Sequence, residues 1–321
     1  MTPLLSGVWL PPQASSMAER VDAAWNLVYW VSAFFLALIT GLLLLFIVRY
    51  RARPGWRAQP SPDHNLPLEL LWTLIPIGLV ALMFWQGYRA YLDVATPPLN
   101  AYDVQVTGQK WNWLFTYPNG YVDGELHVPV GQPVRLTMTS PDVIHSLYLP
   151  DFRIKRDVVP GRYDKLWFTA REPGVHDVFC AEYCGTSHSK MLTKLHAHTP
   201  EEFAGWLEHA SDFLARMPPA EAGGMLYNQR GCKQCHSVDG SPGTGPTFQG
   251  LFGSTQRMAD GSQVRADENY IRESILEPQA KIVDGYPPVM PSFQGRIKDP
   301  EIGAIIEYLK TRASAEPKEP R

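Results

Sequence analysis

The first hundred residues carry two long apolar stretches. No charged residue occurs from Ala23 to Val48, and a second stretch runs from about Leu68 to Tyr91, with Glu69 and Pro76 in its first half. A helix needs about 20 apolar residues to cross the hydrocarbon core of a membrane. A proline is tolerated there because neighbouring groups can satisfy the freed carbonyl. The pattern predicts a two-helix transmembrane hairpin over residues 23–95.

The loop between the two stretches is basic, with four arginines and Asp63 as its only acid. Loops rich in Lys and Arg stay on the cytoplasmic side of a membrane. We therefore expect the N-terminal segment 1–22 and everything after Tyr91 to face outward. For a bacterial protein, this means the periplasmic side of the cytoplasmic membrane. The arginines are Arg49, Arg51, Arg53 and Arg57.

Apolar and polar residues alternate after the hairpin, for example in DVQVTGQ (103–109), QPVRLTMTS (132–140) and DKLWFTA (164–170). Turn signals such as PNG and EPGV separate these segments. Alternation with frequent turns is typical of short strands in an antiparallel sandwich or barrel. We place this domain at residues 96–216 and expect one helical stretch, PEEFAGWLEHASDFLARM, at its end.

The remainder of the chain is predicted to be mostly helical. A Pro/Gly-rich linker at 217–224 leads into a helical domain over residues 220–312, and residues 313–321 form a tail expected to be disordered. The helical candidates are AEAGGMLYNQRGC, DENYIRESILEP and DPEIGAIIEYLKTR.

Charge and cysteine content narrow the chemistry. The net charge is only −3, which gives no indication of a nucleic-acid partner. The four cysteines form two close pairs, Cys180/Cys184 and Cys232/Cys235. Close pairs beside histidines indicate metal or cofactor attachment more than a disulfide scaffold.

CKQCH, at Cys232–His236, has the spacing of covalent haem c attachment. Two thioethers hold the porphyrin, and the histidine binds the iron from one side. A zinc site or a thioredoxin-like pair is the alternative. A methionine is expected on the other side of the iron. We favour Met290, in the proline-stiffened YPPVMPSF, over Met258, which we expect to be exposed in a polar turn.

One short loop and one strand end supply five further candidate ligands. They are Cys180, Cys184, His188 and Met191 of CAEYCGTSHSKM, and His145 of PDVIHS. Two Cys and two His suit a closed zinc site, and one Cys with two His and a Met suits a single blue copper. A disulfide would use only the thiols. Two coppers bridged by both thiolates use every donor: each takes one histidine, Met191 is a weak ligand of one copper, and the backbone carbonyl of Glu182 is a ligand of the other.

His145 followed by C-A-E-Y-C-G-T-S-H-S-K-M resembles the dinuclear copper A motif of subunit II of haem-copper cytochrome c oxidases. GQKWNWLFTYP (108–118) resembles the aromatic stretch of that family, and LPLELLWTLIP (66–76) resembles the start of its second membrane helix. With the CKQCH domain, the chain resembles a caa3-type subunit II with a fused cytochrome c. The resemblance implies a membrane-anchored multidomain protein. Its parts are the hairpin, an all-β cupredoxin-like Greek-key domain and an all-α class I cytochrome c domain.

The resemblance also implies three residue roles. Glu182 matches a glutamate that binds copper through its carbonyl and reaches a magnesium at the interface with subunit I through its carboxylate. Trp111 matches a tryptophan that accepts electrons from the donor, although a tethered haem could change where electrons arrive. Glu69 matches a carboxylate at the mouth of a proton pathway. The alternatives are a solvent-facing loop residue for Glu182, aromatic core for Trp111, and a helix N-terminal acid for Glu69.

The implied function is electron input to a proton-pumping terminal oxidase. A donor cytochrome passes an electron to haem c. The electron then moves to copper A and on to the haem-copper centre of subunit I, where oxygen is reduced to water. Subunit I, subunit III, the donor cytochrome and membrane lipid are the expected partners. The alternatives are a copper A subunit of a nitric oxide reductase and a membrane-anchored copper chaperone or sensor.

Overall fold

A computed structural model of the protein describes residues 10–55 and 62–313. Three predictions therefore fall wholly or partly outside the described residues. They concern the first nine residues of the segment 1–22, Arg57 in the basic loop, and residues 314–321 of the tail.

Two long helices, α1 (Ser16–Arg49) and α2 (Leu66–Ala95), form the predicted hairpin. Both are long and apolar enough to cross a membrane, and their apolar windows are not covered by other parts of the described chain. Pro76 lies inside α2 without ending it. Helix α1 begins seven residues before the uncharged stretch because the Ser15 hydroxyl caps it, accepting a hydrogen bond from the Ala18 amide at 3.1 Å.

Ten strands and two helices follow and build the sandwich domain. The strands are β1 (Tyr102–Gln109), β2 (Asn112–Thr116), β3 (Val122–Asp123), β4 (Leu126–Pro129), β5 (Pro133–Thr139), β6 (His145–Leu149), β7 (Ile154–Val158), β8 (Asp164–Thr169), β9 (Gly174–Cys180) and β10 (Leu192–His198), and the helices are α3 (Pro200–Ser211) and α4 (Phe213–Arg216). One sheet has the order β3-β2-β1-β5-β8 and the other has the order β4-β10-β9-β6-β7.

The alternation seen in the sequence builds the core between these sheets. In β5, the inward residues Val134, Leu136 and Met138 are fully buried, and each contributes about 1.5–3 kcal/mol through removal of apolar surface from water. The predicted sandwich is therefore confirmed.

The predicted antiparallel pairing holds for most strand pairs of the sandwich, but two pairs depart from it. Strand β1 pairs with β5 in parallel, and β4 pairs with β10 in parallel. The chain crosses from one sheet to the other between β3 and β4 and back between β4 and β5, so these partners are not joined by hairpins. Alternation reveals which face of a strand is buried but carries no information about the direction of its neighbour.

The single helical stretch expected at the end of this domain is two helices. The longer one, α3, starts with a capping box in which Thr199 and Glu202 bond each other's backbone amides. It ends at Ser211, with Asp212 as its C-cap, and the short α4 follows.

The C-terminal helical domain contains three helices and one small hairpin. They are α5 (Pro219–Gln229), β11 (Thr255–Arg257), β12 (Gln263–Arg265), α6 (Glu268–Leu276) and α7 (Asp299–Lys310). Helices α5 and α7 cross at Gly223, where an added Cβ would lie 2.0 Å from the Ala304 carbonyl oxygen. Only glycine permits this close approach.

Met258 corrects an expectation. It was expected to be exposed in a polar turn, but only 2% of its surface is exposed. Its backbone pairs with Val283, and its side chain joins the apolar core. The polar neighbours in TQRMADGSQ therefore lie at the surface while the methionine itself points inward.

The two folded domains share a hydrogen-bonded contact. The Asn112 side chain donates to the Arg230 carbonyl at 3.0 Å, and the Arg230 guanidinium donates to the Val122 carbonyl at 2.8 Å. The Gln229 amide donates to the Tyr121 hydroxyl at 3.2 Å. The helical domain thus rests on the β2–β3 edge of the sandwich, through the residues just before Cys232.

Candidate metal and haem sites

The first ligand set lies at one end of the sandwich. Cys180 is the last residue of β9, and His145 is the first residue of the neighbouring β6. Cys184 and His188 lie in the loop that follows β9, and Met191 ends this loop directly before β10. Two adjacent strands and one loop therefore bring all five predicted side chains together.

The distances divide these donors into two groups around the two sulfurs. The Cys180 and Cys184 sulfurs lie 3.9 Å apart. The Cys180 sulfur is 4.0 Å from His145 Nδ1 and 3.3 Å from the Glu182 carbonyl oxygen, and the Cys184 sulfur is 3.5 Å from His188 Nδ1 and 3.8 Å from the Met191 sulfur. Each sulfur thus has one imidazole and one weaker donor beside it.

This donor set fits a pair of coppers. The two thiols are free and not joined as a disulfide. A zinc ion would be satisfied by two Cys and two His and would leave the buried Met191 sulfur without a role. Soft thiolate and thioether ligands together with imidazole favour copper. Cys180, Cys184, His145, His188, Met191 and the Glu182 carbonyl would hold the two ions.

The two neighbouring thiols shift each other's pKa in opposite directions. The hydrogen bond from Cys184 and the neighbouring His145 lower the pKa of Cys180. The same bond, together with burial, raises the pKa of Cys184. Because metal ligands must be deprotonated, copper binding through both sulfurs requires both thiols to be deprotonated.

Asp142 orients one ligand and was missed by the sequence reasoning. Its Oδ1 is 2.9 Å from His145 Nε2, and its Oδ2 accepts a hydrogen bond from the Lys110 amide at 2.7 Å. A carboxylate on Nε2 fixes the tautomer that leaves Nδ1 facing the sulfurs. The signal was present, since Asp142 precedes His145 by three residues in PDVIHS.

Trp111 lies against the copper-binding loop. Its indole nitrogen donates to the Cys184 carbonyl at 3.1 Å, and its ring lies on Gly185, where a Cβ would meet it at 3.1 Å. Only 3% of its surface is exposed. The structure therefore places Trp111 beside a ligand, and not on an open surface of the chain.

The second ligand set lines one cleft of the helical domain. Cys232, Cys235, His236 and Met290 all face it, and Met258 is not among its lining residues. His236 Nδ1 lies 2.7 Å from the Pro246 carbonyl, so it donates there and leaves Nε2 for a metal. Gly245 lies so close to this ring that a Cβ would be 2.5 Å from it.

The chemistry of the cleft fits haem better than zinc. Burial raises the pKa of the Cys232 thiol to about 12 and of the Cys235 thiol to about 11, so both thiols lie in apolar surroundings. The charged residues lining the cleft are basic, which suits the two propionates of haem. They are Lys110, Arg230 and Lys281. The other lining residues are largely apolar, as a porphyrin face requires.

The carboxylates of Glu69 and Glu182 lie outside these ligand sets. The Glu69 carboxylate accepts a hydrogen bond from the Asn65 amide at 2.8 Å, while the Asn65 side chain accepts one from Leu68, so Glu69 completes the cap of α2. The Glu182 side chain is exposed, although its carbonyl faces the sulfurs. The proton-pathway and magnesium roles of these two residues stay predictions.

Three family profiles match consecutive parts of the chain. The transmembrane domain of cytochrome c oxidase subunit II matches residues 3–85, and its periplasmic domain matches residues 120–197. Cytochrome c matches residues 220–313. The fold and the two ligand sets thus define a membrane-anchored, cupredoxin-like copper protein that is fused to a cytochrome c domain.

Curated relatives match large parts of the chain. A cytochrome c oxidase subunit 2 of Synechocystis sp. is 32% identical over 62% of this chain and 74% of the relative. One of Alkalihalophilus pseudofirmus is 31% identical over 85% of this chain and 81% of the relative. A solved structure, the periplasmic domain of subunit II of cytochrome oxidase of Bradyrhizobium japonicum, is 32% identical and has a TM-score of 0.35. The match covers 36% of this chain and 98% of the solved chain. The chain belongs to the cytochrome c oxidase subunit II family.

Proposed function

We propose that this chain is the electron-input subunit of a proton-pumping terminal oxidase. Electrons would come from a donor cytochrome and leave towards the haem-copper centre of subunit I, where oxygen is reduced to water. When bound, haem c and the copper pair supply reversible one-electron chemistry. The observation that carries the proposal is that one hydrogen-bonded path joins the two ligand sets.

That path crosses the contact between the domains. Cys232 follows Gly231 and Arg230 in the chain, and the Arg230 carbonyl accepts the 3.0 Å hydrogen bond from Asn112. Asn112 is bonded to Trp111, whose indole donates to the Cys184 carbonyl at 3.1 Å. Bonded atoms and two hydrogen bonds therefore lead from a haem-attaching cysteine to a copper ligand.

The residues around the copper ligands keep the site dry and rigid. Met191 is fully buried, and only 3% of Cys184 is exposed. His145 is held by Asp142 and stands at the start of a paired strand. A preorganised, water-excluded site needs little rearrangement when its charge changes.

Exposed apolar side chains beside the copper ligands support docking of subunit I at this end. Ile144 precedes His145 and is 45% exposed, and Tyr183 precedes Cys184 and is 75% exposed. Apolar surface of this kind marks interaction sites. We propose that this face meets subunit I, and that the exposed Glu182 carboxylate there holds the magnesium.

The hairpin supports the location that we propose. Helices α1 and α2 would anchor the chain in the bacterial cytoplasmic membrane, in contact with lipid and subunit III, with both folded domains in the periplasm. Glu69, at the start of α2 and next to the basic loop, would then lie on the cytoplasmic side, where protons are taken up.

The test uses the full chain in detergent, matured with haem and loaded with copper. We expect two coppers per haem and an electron paramagnetic resonance spectrum with one unpaired spin split by two copper nuclei. After rapid reduction of the haem, the electron paramagnetic resonance signal of the oxidised copper pair should decay. The rate of this decay should not depend on protein concentration, because the electron moves within one chain. Replacement of Asn112 by Ala should slow this step by about tenfold or more, because small losses of positioning have large effects on rate.

Asn119→Ala is the matched control. Asn119 lies in a turn of the same domain, where its side-chain oxygen accepts a hydrogen bond from the Tyr121 amide at 3.0 Å. Its replacement should leave the rate of electron transfer unchanged. One copper or zinc per haem, or no electron transfer between the centres, would refute the proposed function. Equal rates in both variants would refute the path.

A further inference from the structure

A second group of metal-binding side chains lies on the sandwich domain, away from the copper ligands. His127 on β4 is paired with His196 on β10, so both point to the same side of the sheet, and His198 follows two residues later on that side. Glu125 precedes β4, and its carboxylate lies 2.7 Å from His196 Nε2. We call Glu125, His127, His196 and His198 the histidine cluster.

The cluster is compact and partly covered. One ligand atom each from Glu125, His127 and His196 lies within 4.8 Å of the others. The His127 ring is stacked between His196, at 4.5 Å between centroids, and Trp206 of α3, at 4.0 Å. Trp206 therefore closes one side of the cluster and leaves the side of Glu125 and His196 partly open to solvent.

His198 lies next to His127 as an orienting partner. His127 Nδ1 and His198 Nε2 are 2.8 Å apart, and their rings are nearly coplanar at 6°. Among the hydrogen bonds of the described residues, none involves Nε2 of His127. Metal-binding histidines characteristically use one ring nitrogen for the ion and bond the other to a nearby group.

Desolvation affects two of the imidazoles. Burial and the neighbouring histidines lower the pKa of His127 to about 3 and also lower the pKa of His198. Apolar side chains could cover Trp206 without this loss of hydration, so packing alone does not account for three imidazoles beside a carboxylate.

We propose that the histidine cluster binds one divalent late transition-metal ion, such as Zn²⁺, through Glu125, His127 and His196, with His198 as the positioning residue. Imidazole and carboxylate donors are the ligands of zinc catalytic and surface sites. In a tetrahedral zinc site, bonds of about 2.1 Å place ligand atoms about 3.4 Å apart, so ligand atoms that now lie up to 4.8 Å apart must move closer together. His196 has the freedom to turn its ring, since 24% of its side chain is exposed.

The ion would lie at the cleft between the two folded domains. Glu125, His127 and Trp206 line this cleft together with Gln229 and Lys233 of the helical domain. Lys233 is inside the CKQCH motif. A bound ion would therefore add positive charge beside the haem-attaching segment, at a site accessible from solvent.

The test measures zinc binding by the full chain with its haem and copper already in place. Equilibrium dialysis against Zn²⁺ alone, with elemental analysis, gives zinc per haem iron. We expect one zinc per chain in the native protein. Glu125→Gln, His196→Gln and His198→Gln should each weaken binding by about 10- to 100-fold, as loss of ligands or of their orienting partners does elsewhere.

His176→Gln is the control variant. His176 is also paired with a carboxylate, Asp151 at 2.7 Å, but it lies on β9 opposite Leu195 and so faces the other side of the sheet from His196. It should bind zinc like the native protein, and all variants should keep their copper and haem spectra. The proposal would be overturned if the native protein bound no zinc, or if the three cluster variants bound zinc as tightly as the native protein. Either result would leave the proposed oxidase function untouched.

Discussion

Met290 and Met258 occupy different surroundings within the helical domain. Met290 is half-buried and lines the cleft together with Cys232, Cys235 and His236. Met258 is buried in the apolar core outside that cleft. The two methionines should therefore respond to the same substitution in different ways.

Met290→Ala should abolish the methionine-to-iron charge-transfer absorption, because it removes the thioether that faces the haem cleft. Met258→Ala should keep that absorption but lower the free energy of unfolding by about 2–5 kcal/mol, as cavity formation in a core does. Absorption spectra and urea denaturation followed at the main haem band check both. Loss of the absorption in Met258→Ala alone would assign the ligand to Met258 instead.

At this scale, side chains with unusual chemistry at short spacing were predictable from the sequence, and their partners were not. Cys180 ends β9, and Cys184 and His188 lie in the loop directly after it, so their convergence follows from the short spacing in the sequence. Asp142 was missed because an acid near a histidine is common, and only the fold turns it towards Nε2. His127 and His196 are 69 residues apart in the numbering and meet only through the pairing of β4 with β10.

The crossing of α5 and α7 defines the helical domain at the scale of elements. Gly223 meets the Ala304 carbonyl there, and a Cβ would also lie 2.7 Å from the Tyr308 Cβ. By contrast, a Cβ on Gly303, in α7, would have no atom within 4 Å. The same helix pair thus offers one glycine that the contact requires and one that it does not.

Gly223→Ala should push the two helices apart and lower the free energy of unfolding of the helical domain by about 1–3 kcal/mol, as overpacking does. Gly303→Ala should raise it by about 0.4–1 kcal/mol, because alanine restricts the unfolded chain. Urea denaturation of the haem-loaded protein, followed at the main haem band, measures both. Equal effects would show that the crossing is not as close as described.

Elements were predicted where one local pattern dominates and missed where distant partners decide. Helices α5 and α7 carry a proline in their first turn, α6 has the Asp267 side chain as its cap, and all three show apolar spacing in their own sequence. The break at Asp212 was missed because no proline or glycine marks it. The parallel pairing of β1 with β5 depends on crossovers between sheets, which leave no signal in either strand.

The start of α1 joins the membrane hairpin to the sandwich domain at the scale of the whole molecule. Asp22 of α1 lies 2.7 Å from the Arg153 guanidinium, and both side chains are less than a tenth exposed. The Ser15 hydroxyl donates to the Phe152 carbonyl at 2.8 Å. Glu19, one turn earlier than Asp22, makes only an exposed ion pair with Arg171.

Asp22→Asn should lower the free energy of unfolding of the sandwich domain by about 3 kcal/mol, because it leaves a buried arginine without its counter-charge. Glu19→Gln should change it by no more than about 1 kcal/mol, as expected for an exposed pair. Urea denaturation in detergent, followed by the copper absorption, separates the two. A similar small effect of both variants would mean that α1 is not locked to the domain.

Because these contacts attach the start of α1 to the sandwich domain, the length of α1 sets the distance between the membrane and the copper site. Its 34 residues rise about 51 Å, against about 30 Å for the hydrocarbon core of a membrane, so about 20 Å of the helix extends beyond that core. One residue inserted into the part of α1 outside that core would raise the domain by about 1.5 Å and rotate it by about 100° about the helix axis. The height and the orientation of the copper-binding loop above the membrane therefore depend on the number of residues in α1, and each added or removed residue changes both by a fixed amount.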